Sequence, residues 1–366
     1  MTPFVFALAG QMLAVDAGTL DRTASCDRLT VEQCAPLAEL VEAGQAGVAV
    51  GVAGLGAEDV AARTRARRFL AHPALGEATQ RAAAVKAALA DVQAERRGEA
   101  LLLLAELGHP EAAELLAAVV KDDAADGRTR IYAAAGLGEL TGDVARAALE
   151  SVLGAPIPRL QEAAVTSLGR KHLPAALPAL VNVALGEMVP GFVRVAAARA
   201  MAASKDGSVV PALVLLLGVP QVPTQVAAIE ALGALNAKVA VPALLPLLRG
   251  PETADAVVRA LGALRDPRST AALTDLLGAA ETPGSRVSAI LWTLGELDDP
   301  AAVPALGKRL ADTDLSIARA AAEALGRIAH ASALDYLVTT DARGDAALEK
   351  SLAWARAECT KAAATP

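Results

Sequence analysis

Aromatic residues are nearly absent. Phe, Tyr and Trp supply 2% of the 366 residues, although 54% of the chain is hydrophobic. The excess is Ala, Leu and Val. That composition disfavours a sandwich or a nucleotide-binding sheet, whose strands draw on β-branched and aromatic side chains, and suits close-packed helices. Histidine is scarce too: His72, His109, His172 and His330, none at ligand spacing with another His, Cys or carboxylate on a helix. Positive charge is in deficit, 34 Lys and Arg against 41 Asp and Glu for a net charge of −7. No global field therefore draws nucleic acid or an anionic membrane. Long apolar runs are missing from the body of the chain. The longest, "SVVPALVLLLGVP" at 208–220, is too short to span a bilayer and holds prolines, so no stable membrane span is expected in the mature chain.

Cysteine occurs three times. The N-terminus gives those residues a context. An apolar run from Phe4 to Val15 precedes Val15-Asp16-Ala17, which fits a small-residue cleavage pattern. Residues 1–17 resemble a secretory signal peptide, with one departure: no Lys or Arg precedes the run. The expectation is a periplasmic or secreted protein of a bacterial envelope, with a cytoplasmic one as the alternative. In an exported chain Cys26 and Cys34 can pair across seven residues, leaving Cys359 single.

What is abundant is self-similarity. "AGLGELTGDVARAALESVL" at 135, "EALGALNAKVAVPALLPLL" at 230, "RALGALRDPRSTAALTDLL" at 259 and "WTLGELDDPAAVPALGKRL" at 292 share one frame. Its small residue falls at Ala105, Gly138, Gly169, Ala202, Gly233, Gly262, Gly295 and Gly326, in steps of 29 to 33 residues. The preceding residue is always large: Leu104, Leu137, Leu168, Met201, Leu232, Leu261, Leu294 and Leu325. Apolar spacing within each copy, as at Val287, Ile290, Leu291 and Leu294, predicts a first helix that ends near the small residue and a second helix after a turn. A glycine inside the first helix lets two backbones approach closely, which outweighs its helix cost of roughly 1 kcal/mol. Asp266-Pro267 and Asp299-Pro300 read as N-cap and first residue of second helices. Pro178, Pro211, Pro242 and Pro304 fall in the first turn, where a missing N–H costs little.

The "ALGxL…(D/N)…AVPALxxLL" frame at 232–248 and 294–310 resembles HEAT repeats of the short bacterial type also found in phycobilisome lyases. The resemblance covers roughly 94–345. It implies an all-α, right-handed α-solenoid of about eight two-helix repeats, with first helices on the convex face and second helices on the concave one. Residues 19–93 read as an N-terminal helical cap region. Residues 346–366 read as a C-terminal capping helix and tail, with Trp354 expected over the open end of the stack. In the cap region Thr30-x-x-Gln33 reads as a capping box, Pro36 as a kink or a later start, Gly44 as a stop, and 43–56 as a small-residue helix or loop.

No catalytic constellation emerges, and no cofactor is expected. Deoxyhypusine hydroxylase, an enzyme of this repeat class, holds iron with His-Glu dipeptides, and none occurs here. A bilin lyase or chromophore chaperone is one alternative, but a tetrapyrrole pocket needs aromatics that this chain lacks. A nucleic-acid binder is a second alternative, without the basic face it needs. "RTRARR" at 63–68 reads as a solvated helix face, or as a dock for an acidic partner.

The remaining reading is a non-enzymatic scaffold that binds a partner peptide or helix in the concave groove. Oligomeric state and partner identity are left open. Two residues after the second-helix leucine point toward that groove, and there the third to fifth copies are apolar. The expected patch is Val181, Val214, Leu215 and Leu245, unless these side chains pack between adjacent second helices. Trp292 stands in a column otherwise largely polar and reads as an interaction anchor or as a ring lying over its neighbours.

Overall fold

The computed structural model describes residues 15–26, 33–91, 97–171, 174–279 and 283–364. Every regular element among them is helical. The chain forms two compact units, 1–183 and 184–366.

In the first unit, the helices Ala17–Arg22, Ala35–Glu42, Gln45–Leu55, Val60–Leu70 and Ala78–Asp91 precede the repeats. Asp16 caps the first, its Oδ1 accepting the Thr19 N–H at 2.9 Å. The expected capping box at Thr30 falls outside the described residues. Cys34 instead caps the helix Ala35–Glu42, its Sγ accepting the Leu37 N–H at 3.4 Å. Pro36 lies in the first turn of that helix and opens it without a kink. Gly44 adopts φ +53°, which only glycine enters without strain, and the next helix starts immediately after it. The Gly-rich stretch is that helix, and its glycines are contact points. A β-carbon on Gly51 would fall 2.9 Å from the Phe69 ring, and one on Gly54 would fall 3.0 Å from the Ala66 methyl.

The repeats follow as helix pairs. The first unit holds Arg97–Glu106 with Ala112–Lys121, Gly127–Leu137 with Asp143–Ser151, and Pro158–Lys171 followed by Leu177–Leu185, in which the unit boundary falls. The second unit holds Gly191–Ala203 with Val210–Leu216, Val222–Ala234 with Val241–Leu244, Ala254–Leu264 with Thr270–Gly278, Gly284–Leu297 with Val303–Arg309, and Leu315–Ile328 with Leu334–Thr339. The large residue before the small position is fully buried in all eight copies. At roughly 25 cal/mol per Å² of apolar surface removed from water, this column adds to the driving force for stacking.

The small residue does what its size suggests. A β-carbon on Gly233 would stand 3.2 Å from Ala260 Cα, and one on Gly295 would stand 3.1 Å from Ala324 Cα. Gly138 meets Ser167 in the same way. Each glycine thus receives the residue two before the small position of the next repeat. Ala355 meets Gly326 at the corresponding place, so the helix Ala346–Ala363 packs as the first helix of a ninth copy. Its Trp354 lies over Gly326 and so faces the preceding repeat, not the open end expected for it.

Two features of the turns differ from the sequence reading. The second helices at Asp266-Pro267 and Asp299-Pro300 begin with a 3-10 turn, Pro267–Ser269 and Pro300–Ala302, before the α-helix proper. The Asp residues do cap, accepting the N–H of Arg268 at 3.0 Å and of Ala301 at 3.0 Å. The first helix then ends on a left-handed residue three places after the small position: Gly108, Lys205, Asn236, Arg265, Asp298 and Ala329. Glycine would be the expected occupant, yet only the first of these is one.

Candidate second-helix face

The second-helix leucines Leu116, Leu149, Leu180, Leu213, Leu244, Leu273, Leu306 and Leu337 are all fully buried. A helix turns about 100° per residue, so the next two positions rotate from the core to its edge and then outward. The structure follows that rotation. Val181, Val214 and Leu245 are half-buried, while Leu215 is 64% exposed. The outward position is exposed in every copy, where its other occupants are Ala118, Ser151, Asn182, Pro246, Asp275, Lys308 and Thr339. Leu215 is the one large aliphatic chain among them.

Val338 contrasts with Val214 and Leu245. It holds their register position on the last second helix, Leu334–Thr339, and is 67% exposed. No second helix follows it among the described residues, whereas Val214 and Leu245 each have a successor. Val214 and Leu245 are thus partly covered and keep a solvent-facing edge. Val181 belongs to the first unit and is treated apart from them.

Proline frames this face. In the second unit Pro211, Pro242 and Pro304 are exposed at the starts of second helices, and Pro246 is exposed beside Leu245. A ring in the first turn gives up no hydrogen bond and adds stiff apolar surface.

Trp292 is 47% exposed, and its Cζ3 would be 2.9 Å from a β-carbon on Gly262. It lies over its neighbour in the preceding repeat while keeping a free face. The same pairing recurs: Phe69 sits on Gly51, Tyr132 on Gly98, Tyr336 on Gly307 and Trp354 on Gly326. Five of the chain's eight aromatic rings thus fill space that a glycine leaves in an earlier element. The signal was present in the sequence only as the coincidence of a rare aromatic and an earlier glycine, about thirty residues before it in every pair but Phe69–Gly51.

Sequence reasoning missed a column of buried and half-buried donors. Eight residues before the small position stand Arg130, Gln161, Arg194 and Gln225. Each reaches back to a carbonyl at or beyond the end of the preceding helix. Arg130 Nε donates to the Val120 carbonyl at 3.0 Å and Gln161 Nε2 to Ala155 at 2.9 Å. Arg194 Nε donates to Ala184 at 2.8 Å and Gln225 Nε2 to Leu217 at 3.1 Å. Val120, Ala184 and Leu217 offer carbonyls that a helix end leaves open, while Ala155 lies in the loop before the next helix. An alignment of the copies on this position would have found them.

The other candidates resolve into structure. His72, His109 and His330 are turn caps, each accepting through Nδ1 the N–H of the residue two places on, at 3.2 Å. His172 lies outside the described residues. In "RTRARR", Arg63 donates to the carbonyls of Ala57 and Glu58, Arg65 pairs with Asp21 at 2.8 Å, and Arg67 pairs with Glu99 at 2.6 Å and with Glu106. Burial pushes the Glu106 carboxyl up, against the opposing pull of Arg67, and Glu139 and Glu99 add to the rise. No group of His, Cys, Asp and Glu among the described residues is arranged to hold a metal ion. Cys359 is buried and unpaired, and burial pushes its thiol up. Cys34 is buried, and the side chain of its expected partner Cys26 lies outside the described residues. No described helix is long and apolar enough to cross a membrane.

Comparison with known proteins agrees with this geometry. Residues 283–355 match the family of HEAT repeats, and residues 224–250 and 254–278 match the PBS lyase HEAT-like repeat. Curated proteins give no match. Among solved structures the chain is similar to Kap95p, studied with RanGDP, at 14% identity and a TM-score of 0.68, covering 96% of this chain and 56% of that one. It also aligns with the CpcE–CpcF phycocyanin lyase complex of Nostoc sp. PCC7120, at 25% identity and a TM-score of 0.37, over 67% of this chain and 94% of that one. Human deoxyhypusine hydroxylase aligns at 21% identity and a TM-score of 0.35, over 69% and 96%. The likeness to Kap95p shows an all-α solenoid fold, and the chain is a HEAT-repeat protein whose copies at 224–250 and 254–278 are of the phycobilisome-lyase-like kind.

Proposed function

We propose that the protein is a non-enzymatic scaffold that binds a peptide or helix of a partner along the exposed face of its second helices. The observation that supports this most is Leu215. It offers a large aliphatic chain, 64% exposed, at a position where the other copies carry small, polar or proline residues. Val214, Leu245 and the neighbouring prolines extend the apolar surface around it. Such a surface suits an apolar stripe of an amphipathic helix or the alternate side chains of an extended peptide. Trp292 is a separate anchor on the first-helix side.

A photoreactive amino acid placed at position 215 in the native host tests the reading. It should crosslink one partner that the same group at the exposed first-helix position Arg199 does not, and Leu215→Asp should abolish that complex while leaving the circular dichroism unchanged. Equal crosslinking from both positions would sink the proposal. A coloured protein after co-expression with a tetrapyrrole would favour the lyase alternative instead. We further propose that the mature chain is exported, with Cys26 and Cys34 joined. Intact mass before and after reduction checks both points.

A further inference from the structure

We propose that the segment bound at the Leu215 face is acidic as well as apolar, and this inference rests on the scaffold reading above. Although the whole chain is negative, residues 204–250 hold three cations, Lys205, Lys238 and Arg249, and only two carboxylates, Asp206 and Glu230. Both carboxylates are occupied. Asp206 caps the 3-10 turn Gly207–Val209, accepting the Ser208 N–H at 2.8 Å. Glu230 lies on a first helix and pairs with Arg259 at 3.4 Å. The three cations are exposed and none makes a salt bridge to a carboxylate among the described residues, although Lys238 stands close enough to Asp266 to help lower its carboxyl.

Their positions frame the apolar face. Lys205 is the left-handed residue that ends the helix Gly191–Ala203, just before the second helix carrying Val214 and Leu215. Lys238 opens the 3-10 turn that leads into the next second helix. Arg249 closes the 3-10 segment Leu245–Arg249 at the far end of that same helix. A cation thus stands before each of these two second helices, and the second of them has one at its far end as well. One repeat later the neighbouring cation Arg268 is neutralised within its own turn by Asp266, at 2.6 Å. There the outward position turns acidic, at Asp275 on the helix Thr270–Gly278. The apolar outward residue and cations without a salt bridge thus coincide in the fourth and fifth repeats, and the sixth breaks the pattern with Asp275 and the Arg268–Asp266 pair.

Exposed charges at the rim of an apolar contact set register and partner choice more than affinity, and their effect is screened by salt. The partner that fits carries aliphatic residues at peptide or helix spacing with Asp or Glu flanking them. Asp275 would repel such a segment beyond the fifth repeat, which limits its length to about two repeats.

Selection of a random peptide display library on the full-length protein, with counter-selection on the Leu215→Asp variant, tests this. Enriched peptides should be net acidic with aliphatic residues. The triple variant Lys205→Glu, Lys238→Glu, Arg249→Glu should lose about tenfold in affinity for them at low salt. The difference should shrink at high salt, with the fold unchanged by circular dichroism. Enriched peptides that need Leu215 yet are neutral or basic would overturn the acidic inference and leave the scaffold reading standing. If no peptide is enriched over the Leu215→Asp variant, both fall. An oligonucleotide that competes through the three cations without needing Leu215 would overturn the peptide assignment in favour of a nucleic acid.

Discussion

Trp292 covers Gly262, the small residue of the preceding repeat, so closely that its Cζ3 would be 2.9 Å from an added β-carbon. The Oγ1 of the adjacent Thr293 would be 3.2 Å from that β-carbon. Gly262→Ala improves helix propensity by roughly 1 kcal/mol yet inserts a methyl into an occupied space, at a cost of about 1–3 kcal/mol. The expected net result is a loss of stability in urea unfolding. The loss should shrink in a Trp292→Leu background, because the ring is part of what the methyl meets. Gly278→Ala is the control. Nothing lies within 4 Å of its added β-carbon, and that change should be neutral or stabilising.

The left-handed residues give the opposite expectation. Ala329 holds φ +46° at the end of the helix Leu315–Ile328 with no side-chain polar group to compensate. An L-residue there is strained by roughly 1–2 kcal/mol, part of which glycine gives back through its freer unfolded chain. Ala329→Gly should therefore raise the melting temperature, by on the order of 1 kcal/mol in stability. No change, or a fall, would show that the strain is absorbed elsewhere in the turn.

Arg194 is buried and binds the Ala184 carbonyl at 2.8 Å and Gln221 Oε1 at 3.3 Å. Arg194→Met keeps the length and loses both hydrogen bonds. It should cost about 1–3 kcal/mol, the price of leaving a buried carbonyl unpaired. Hydrogen exchange should localise the loss to the helix Leu177–Leu185 and the turn after it. A uniform loss across the chain would contradict a local capping role.

Asp266 carries a pH dependence. The Arg268 side chain bonded to it holds its carboxyl below the usual range, and the Arg268 backbone N–H adds to the effect despite the opposing pull of burial. A carboxyl lowered in the folded state contributes stability that is fully present above its unfolded value, about 3.9, and is lost as pH falls through the folded value. Asp266→Asn keeps the capping acceptor and removes the titration. It should be less stable than the parent at neutral pH. The gap between the two unfolding midpoints should close as pH falls below about 4. A gap that stays constant with pH would assign the difference to packing.

These expectations also show what could be read in advance. Gly262, Pro300 and Asp299 announce themselves, because a close contact, a helix start and a cap each demand a particular residue type. The repeat frame and its buried Leu and Met column follow from spacing alone. Arg265 and Ala329 give no such notice, since a strained backbone can be held by any side chain once its surroundings fix it. The column of Arg130, Gln161, Arg194 and Gln225 was written in the chain but is visible only when the copies are aligned at that position. Leu215 and Val214 are adjacent in sequence and alike in chemistry. Only the rotation of the helix separates the half-buried residue from the exposed one.

The pairing of scarce rings with glycines also bears on how the chain avoids disorder among its own copies. Stacks of near-identical units can slip by one during folding or exchange neighbours between molecules. In this chain a ring that slips by one repeat meets a different surface. Trp292 moved one place back would face Gly233, whose contact is sized for Ala260, and Tyr336 would lose the vacancy at Gly307. A handful of mismatched shapes thus marks the units that carry them. The order of repeats is written in the rare residues, while the common ones only say that repeats exist.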